Sequence, residues 1–137
     1  MILTLLSLVV GYLVISISTA LLYATWLSGA GNEITPQFLA FAAICGLGFA
    51  TLGGWLAALV AQRAPITHAI ALSLMLAIVW GCYTFTGEPN TGEPNTGELR
   101  EPLAIALLNI GINITGVMTG GWIRLAQMKA NDRARGI

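Results

Sequence analysis

Residues 44–72 read ICGLGFATLGGWLAALVAQRAPITHAIAL: an apolar segment, a four-residue turn (Gln62, Arg63, Ala64, Pro65) and a second apolar segment. In the first segment Gly46, Ala50, Gly53 and Ala57 follow a 4, 3, 4 spacing. At 100° per residue this places all four within about 60° of arc on a helix. A strip of small residues on an apolar helix lets a neighbouring helix come close, which is how helices associate in lipid. The short turn makes the two segments antiparallel neighbours. The stretch therefore predicts a helical hairpin in a membrane, and the remainder of the chain has the same character.

Of 137 residues, 56% are hydrophobic and 9% charged, and the mean hydropathy is +0.80. Soluble domains carry about 25% charged residues, so lipid is the main solvent here. The formal net charge of zero argues against nucleic acid as a partner. Cys45 and Cys82 both lie in apolar runs, where thiols act as small hydrophobes and not as a disulfide framework. Residues 2–32 hold no charged side chain, so the first run lacks the basic n-region of a signal peptide and is also longer than an h-region. It is expected to remain as a signal anchor and true span.

Four apolar runs are long enough to cross a hydrocarbon core, at about 2–27, 37–61, 66–85 and 102–123. The fold class expected is all-α, an integral membrane four-helix bundle forming one domain. Tyr23 and Trp26 read as interfacial anchors of the first span, and Thr35-Pro36 reads as N-cap and first residue of the second. Between spans three and four, Thr86-Gly87-Glu88-Pro89-Asn90 recurs from Thr91 and decays from Thr96. This acidic pentapeptide repeat, loop 86–101, reads as a wet connection, with three periods too few for a solenoid. With four spans, Arg63, Arg124, Lys129, Arg133 and Arg135 share one side of the membrane and Arg100 alone lies on the other. The positive-inside rule then places both termini, and the basic tail 124–137, in the cytoplasm.

Gly53-Gly54-Trp55 and Gly120-Gly121-Trp122 stand 67 residues apart, each closing an even-numbered span. The chain thus reads as two duplicated helical hairpins in the same orientation, with common membrane-helix composition as the rival explanation. In span four, Asn109, Asn113, Gly116 and Gly120 repeat the 4, 3, 4 spacing on one face. Carboxamides in hydrocarbon need a partner or a water-filled cavity. Asn109 and Asn113 are read either as interhelical hydrogen-bonding groups or as the lining of a solute path.

His68 is the sole histidine. Its readings are a ligand or lipid contact near the cytoplasmic mouth of span three, or a side chain bonded to the adjacent turn. Arg63 and Arg124 follow spans two and four and are read as contacts to anionic lipid or as part of the orientation signal. No Asp, Glu or Lys falls within a span, and no Gly-x-Ser-x-Gly is present. An enzyme is not expected, nor a metal site. No cofactor is predicted, although a bound lipid or pigment fits the class.

Gly53-Gly54-Trp55-x-Ala57-Ala58 followed by Arg63-x-Pro65-x-x-His68-Ala69 resembles a pattern in small, uncharacterised bacterial membrane proteins with four spans. The resemblance covers about a sixth of the chain. It implies a four-helix membrane fold in a bacterial cytoplasmic membrane, or an internal membrane derived from it, and carries no activity. Two functions are therefore expected. The first is a structural or accessory subunit, docking on other membrane subunits or on copies of itself through the faces of Gly46, Ala50, Gly53 and Ala57 and of Gly116 and Gly120. The alternative is an oligomeric channel or transporter for a small solute, with Asn109 and Asn113 lining its path.

Overall fold

A computed structural model describes residues 2–29, 35–61, 64–86 and 103–136. They form α1 (Ile2–Gly29), α2 (Pro36–Ala61), α3 (Pro65–Thr86) and α4 (Leu103–Ala134). Each is long and apolar enough to cross a membrane. The fold is an all-α membrane bundle of four antiparallel-connected spans. Arg63 and the repeat from Gly87 onward lie outside the described residues.

The helix starts follow local chemistry. Thr35 caps α2: its Oγ1 accepts from the Phe38 N–H at 3.2 Å and its carbonyl from Leu39 N at 3.0 Å. Pro36 fits at the first helical position because its missing N–H is needed by no one there. Ala64 precedes α3 with φ 51°, a left-handed conformation that costs a non-glycine residue about 1–2 kcal/mol. Its carbonyl takes both the backbone N–H of His68 at 3.4 Å and the His68 ring Nδ1 at 3.0 Å.

Two helices run past the apolar limits read from sequence. α1 reaches Gly29, and α4 continues to Ala134 through the basic tail. Residues 124–134 contain no Gly or Pro, so nothing breaks the helix where hydrocarbon gives way to water. It ends at Gly136, which has φ 71° and donates to the Arg133 carbonyl at 3.3 Å. Arg133 in the last turn complements the helix dipole.

Around the bundle the order is α1, α2, α4, α3. The closest pair is α2 with α4, and α2 also touches α3 across the short diagonal. Among the described residues α1 and α4 do not pack on each other. The buried core consists of Ile15, Ala50, Ala57, Ala69, Leu72, Leu76 and Val117. Its share of alanine reflects packing by backbone approach instead of large interlocking side chains. Large apolar side chains point outward, among them Ile44 at 72% exposure and Leu5 at 63%. In a membrane this outer surface meets acyl chains.

Candidate functional site

The two ends of the bundle differ. At the end carrying the α2–α3 turn, glycines bring backbones into contact. A Cβ added at Gly54 would strike the backbone of Val117, with Cα at 2.7 Å. One at Gly120 would strike the Thr51 carbonyl and lie 2.6 Å from Trp55 N, and one at Gly116 would sit 2.5 Å from Ala50 Cβ. These three positions seal α2 against α4. Gly11 and Gly53 do the same for α1 and α2, each facing the other's carbonyl at 3.0 and 2.9 Å, while Leu72 Cδ2 closes on Gly11 from α3 at 2.6 Å. Gly121 lies 2.5 Å from Ala69 Cβ of α3 by the same measure. Beyond the seal, Trp55 Nε1 donates to Gln127 Oε1 at 3.0 Å, tying α2 to the extended part of α4.

The strip Gly46, Ala50, Gly53 and Ala57 thus lies on a seam. Ala50 meets α4, whereas Gly53 and Ala57 meet α1, and Gly46 stands open with only Ile112 Cγ2 within 4 Å, at 3.9 Å. Gly116 and Gly120 meet α2. Apart from Gly46, the small residues read from sequence are engaged by neighbouring helices inside the chain. The two Gly-Gly-Trp motifs lie at the same end, but their glycines exchange neighbours. Gly54 and Gly120 serve the α2–α4 contact, while Gly53 and Gly121 serve each hairpin's own contact.

At the opposite end a cavity of about 520 Å³ lies between α1, α2 and α4, within the range that takes a small ligand. Its walls are Tyr12, Ser16, Thr19 and Tyr23 on α1 and Asn109 and Asn113 on α4. α2 supplies Ala42, Ala43 and Gly46, and α3 supplies Trp80. Tyr23 also packs edge-on against Phe38 at 5.2 Å, and Trp26 stacks on Phe38 at 4.5 Å. This aromatic group pins the far end of α1 to the start of α2, so the α1 wall is held in place.

The α1 row repeats the 4, 3, 4 spacing of the other strips, a signal that the run's overall hydropathy hides. Its polar groups are presented to the cavity. Thr25, Thr51, Thr115 and Thr119 return their hydroxyls to carbonyls of their own helices at 2.7–2.9 Å. Among the described residues, the hydroxyls of Tyr12, Ser16 and Thr19 have no such partner. Asn113 Nδ2 donates to the Asn109 carbonyl at 2.9 Å. The Asn109 amide has no partner among the described residues. Neither carboxamide therefore bonds to a neighbouring helix, and both line the cavity.

His68 and Arg124 are far from this site, at the sealed end. The His68 ring bonds to its own turn at Ala64. Arg124 Nε and Ser73 Oγ are buried without hydrogen-bond partners among the described residues. Comparison with known proteins found no matching family model, no matching curated protein and no matching solved structure.

Proposed function

We propose that this membrane protein binds a small molecule in the outward half of its bundle, as the binding state of a small transporter or channel sealed at its cytoplasmic end. The observation that carries this reading is the cavity of about 520 Å³ with Asn109 and Asn113 in its wall. Of the two functions expected from sequence it favours the solute path. A purely structural role for the carboxamides would have them bonded across to another helix. The accessory-subunit reading rested on small-residue faces, and apart from Gly46 those are occupied within the chain.

The excess of Lys and Arg at the sealed end supports a cytoplasmic position for that end. The resemblance of the Gly53–Ala69 stretch supports a bacterial membrane. The cavity then opens toward the outer leaflet, and the α2–α4 glycine contact bars the way through. Passage of a solute would require α4 to tilt toward α1 at one end and away from α2 at the other.

Gly46→Leu tests the reading, because the new side chain enters the cavity where only Ile112 approaches. Wild type and variant are purified from native-host membranes in mild detergent, and their solvent extracts and co-migrating proteins are compared by mass spectrometry. A small molecule near one per chain in wild type and depleted in Gly46→Leu is expected. Identical extracts overturn the reading, and a stoichiometric protein partner with identical extracts restores the accessory subunit.

A further inference from the structure

We infer that the occupant is a neutral amphiphile from the bilayer, admitted sideways past Ala20 of α1 and Leu108 of α4. This rests on the reading of the cavity as a binding site, and it names the class of molecule and its route.

The route follows from the exposed part of the lining. Ala20 on α1 and Leu108 on α4 both line the cavity and are exposed. The exposed flank of a spanning helix faces hydrocarbon, so a molecule already dissolved in the leaflet meets these residues without crossing water.

The class follows from the walls. Among the described residues, no Asp, Glu, Lys, Arg or His lines the cavity. A charged head would stand unpaired among side chains that carry no countercharge, which disfavours it in hydrocarbon. A pure hydrocarbon is disfavoured for the opposite reason. It would leave the Tyr12, Ser16 and Thr19 hydroxyls and the Asn109 amide unsatisfied. A hydroxyl or carbonyl head answers both conditions: carboxamide and hydroxyl groups each donate and accept, and they stand on both sides of it. The remaining wall, including Ile15, Ala42, Ile105 and Ile112, is apolar and suits a hydrocarbon remainder.

Three photoreactive probes with the same diazirine-bearing alkyl chain test this in proteoliposomes: a primary alcohol, an alkyl sulfate and an alkyl trimethylammonium. Cross-links are mapped to peptides by mass spectrometry. The alcohol is expected to label residues 12–23 and 105–113 about tenfold more than either charged probe, the ratio that about 1.4 kcal/mol of differential binding gives. Ser16→Ala with Asn109→Leu is expected to lower that labelling about tenfold on the same scale, with the unfolding midpoint in detergent kept as a control for folding. Ala20→Trp, at the opening, is expected to slow the labelling time course. Equal or stronger labelling by a charged probe overturns the neutral class while leaving the cavity a binding site. An unchanged time course in Ala20→Trp overturns the lateral route. Labelling of these peptides no greater than that of lipid-facing Ile44 and Ile78, and insensitive to Gly46→Leu, overturns the binding reading itself.

Discussion

Replacing Gly120 with alanine adds one methyl group at the tightest point of the bundle. That methyl would meet the Thr51 carbonyl and stand 2.6 Å from Trp55 N and 3.0 Å from the Gly54 carbonyl carbon. All three are backbone atoms of α2, so no side-chain rotation relieves them. Ordinary contact begins near 3.4 Å, and α4 must withdraw from α2 by about 0.8 Å or more. A gap of 0.5–1 Å forfeits about a quarter to a half of the dispersion attraction along the contact. Overpacking of this kind costs about 1–3 kcal/mol. Gly111 on the same helix is the control, since a Cβ there meets nothing within 4 Å. Alanine at Gly111 should be neutral, or more stable by up to about 1 kcal/mol from helix propensity. Unfolding in mixed micelles, followed by tryptophan fluorescence and circular dichroism, measures both variants against wild type. Gly120→Ala is expected to fall below Gly111→Ala by about 1–3 kcal/mol. Equal stability of the two variants would refute backbone contact at Gly120.

The other perturbations have smaller or more local effects. Thr35→Ala removes the cap of α2 and should cost about 1 kcal/mol in the same unfolding assay. Trp55→Phe deletes the bond to Gln127, and because the pair is exposed the loss should stay at or below about 1 kcal/mol, read as a small shift of the unfolding midpoint. Asn113→Leu breaks only an intrahelical bond, so stability should change by about 0.6 kcal/mol or less, while alcohol-probe labelling falls. Gly46→Leu should leave the unfolding midpoint near wild type, since the site is open, and abolish probe labelling of residues 105–113.

Local chemistry was largely readable from the chain. The four spans follow from uninterrupted apolar length, the Thr35 cap from a hydroxyl placed before Pro36, and the packing strips from 4, 3, 4 spacing. Spacing gives a face, but not which neighbour the face meets. That is why Gly46, Ala50, Gly53 and Ala57 read as one surface yet divide between α1, α4 and the cavity. Gly11, Gly54 and Gly121 were missed because each needs the second helix to be known before its lack of a side chain matters. The row of Tyr12, Ser16, Thr19 and Tyr23 was visible as a pattern, but a mean hydropathy of 2.3 over Leu3–Trp26 makes it read as ordinary span. The cavity could not be read at all, because its walls come mainly from α1 and α4, two helices distant in sequence. The length of α4 was underestimated for a simpler reason: apolarity marks where lipid ends, whereas only a breaker such as Gly136 marks where a helix ends.

The central claim is a bundle sealed at one end and open to a cavity at the other, and cysteine reactivity along α1 tests it most directly. Cys45 and Cys82 are thiols and are first replaced by serine. Ser16→Cys then places a thiol in the cavity wall, and Ser7→Cys places one at a fully buried position toward the sealed end. Both changes are nearly isosteric. In proteoliposomes, N-ethylmaleimide should modify Ser16→Cys readily and leave Ser7→Cys protected until the protein is unfolded in SDS. Equal protection of both would mean that the cavity is closed in the membrane, and equal reactivity would mean that the glycine seal does not exist.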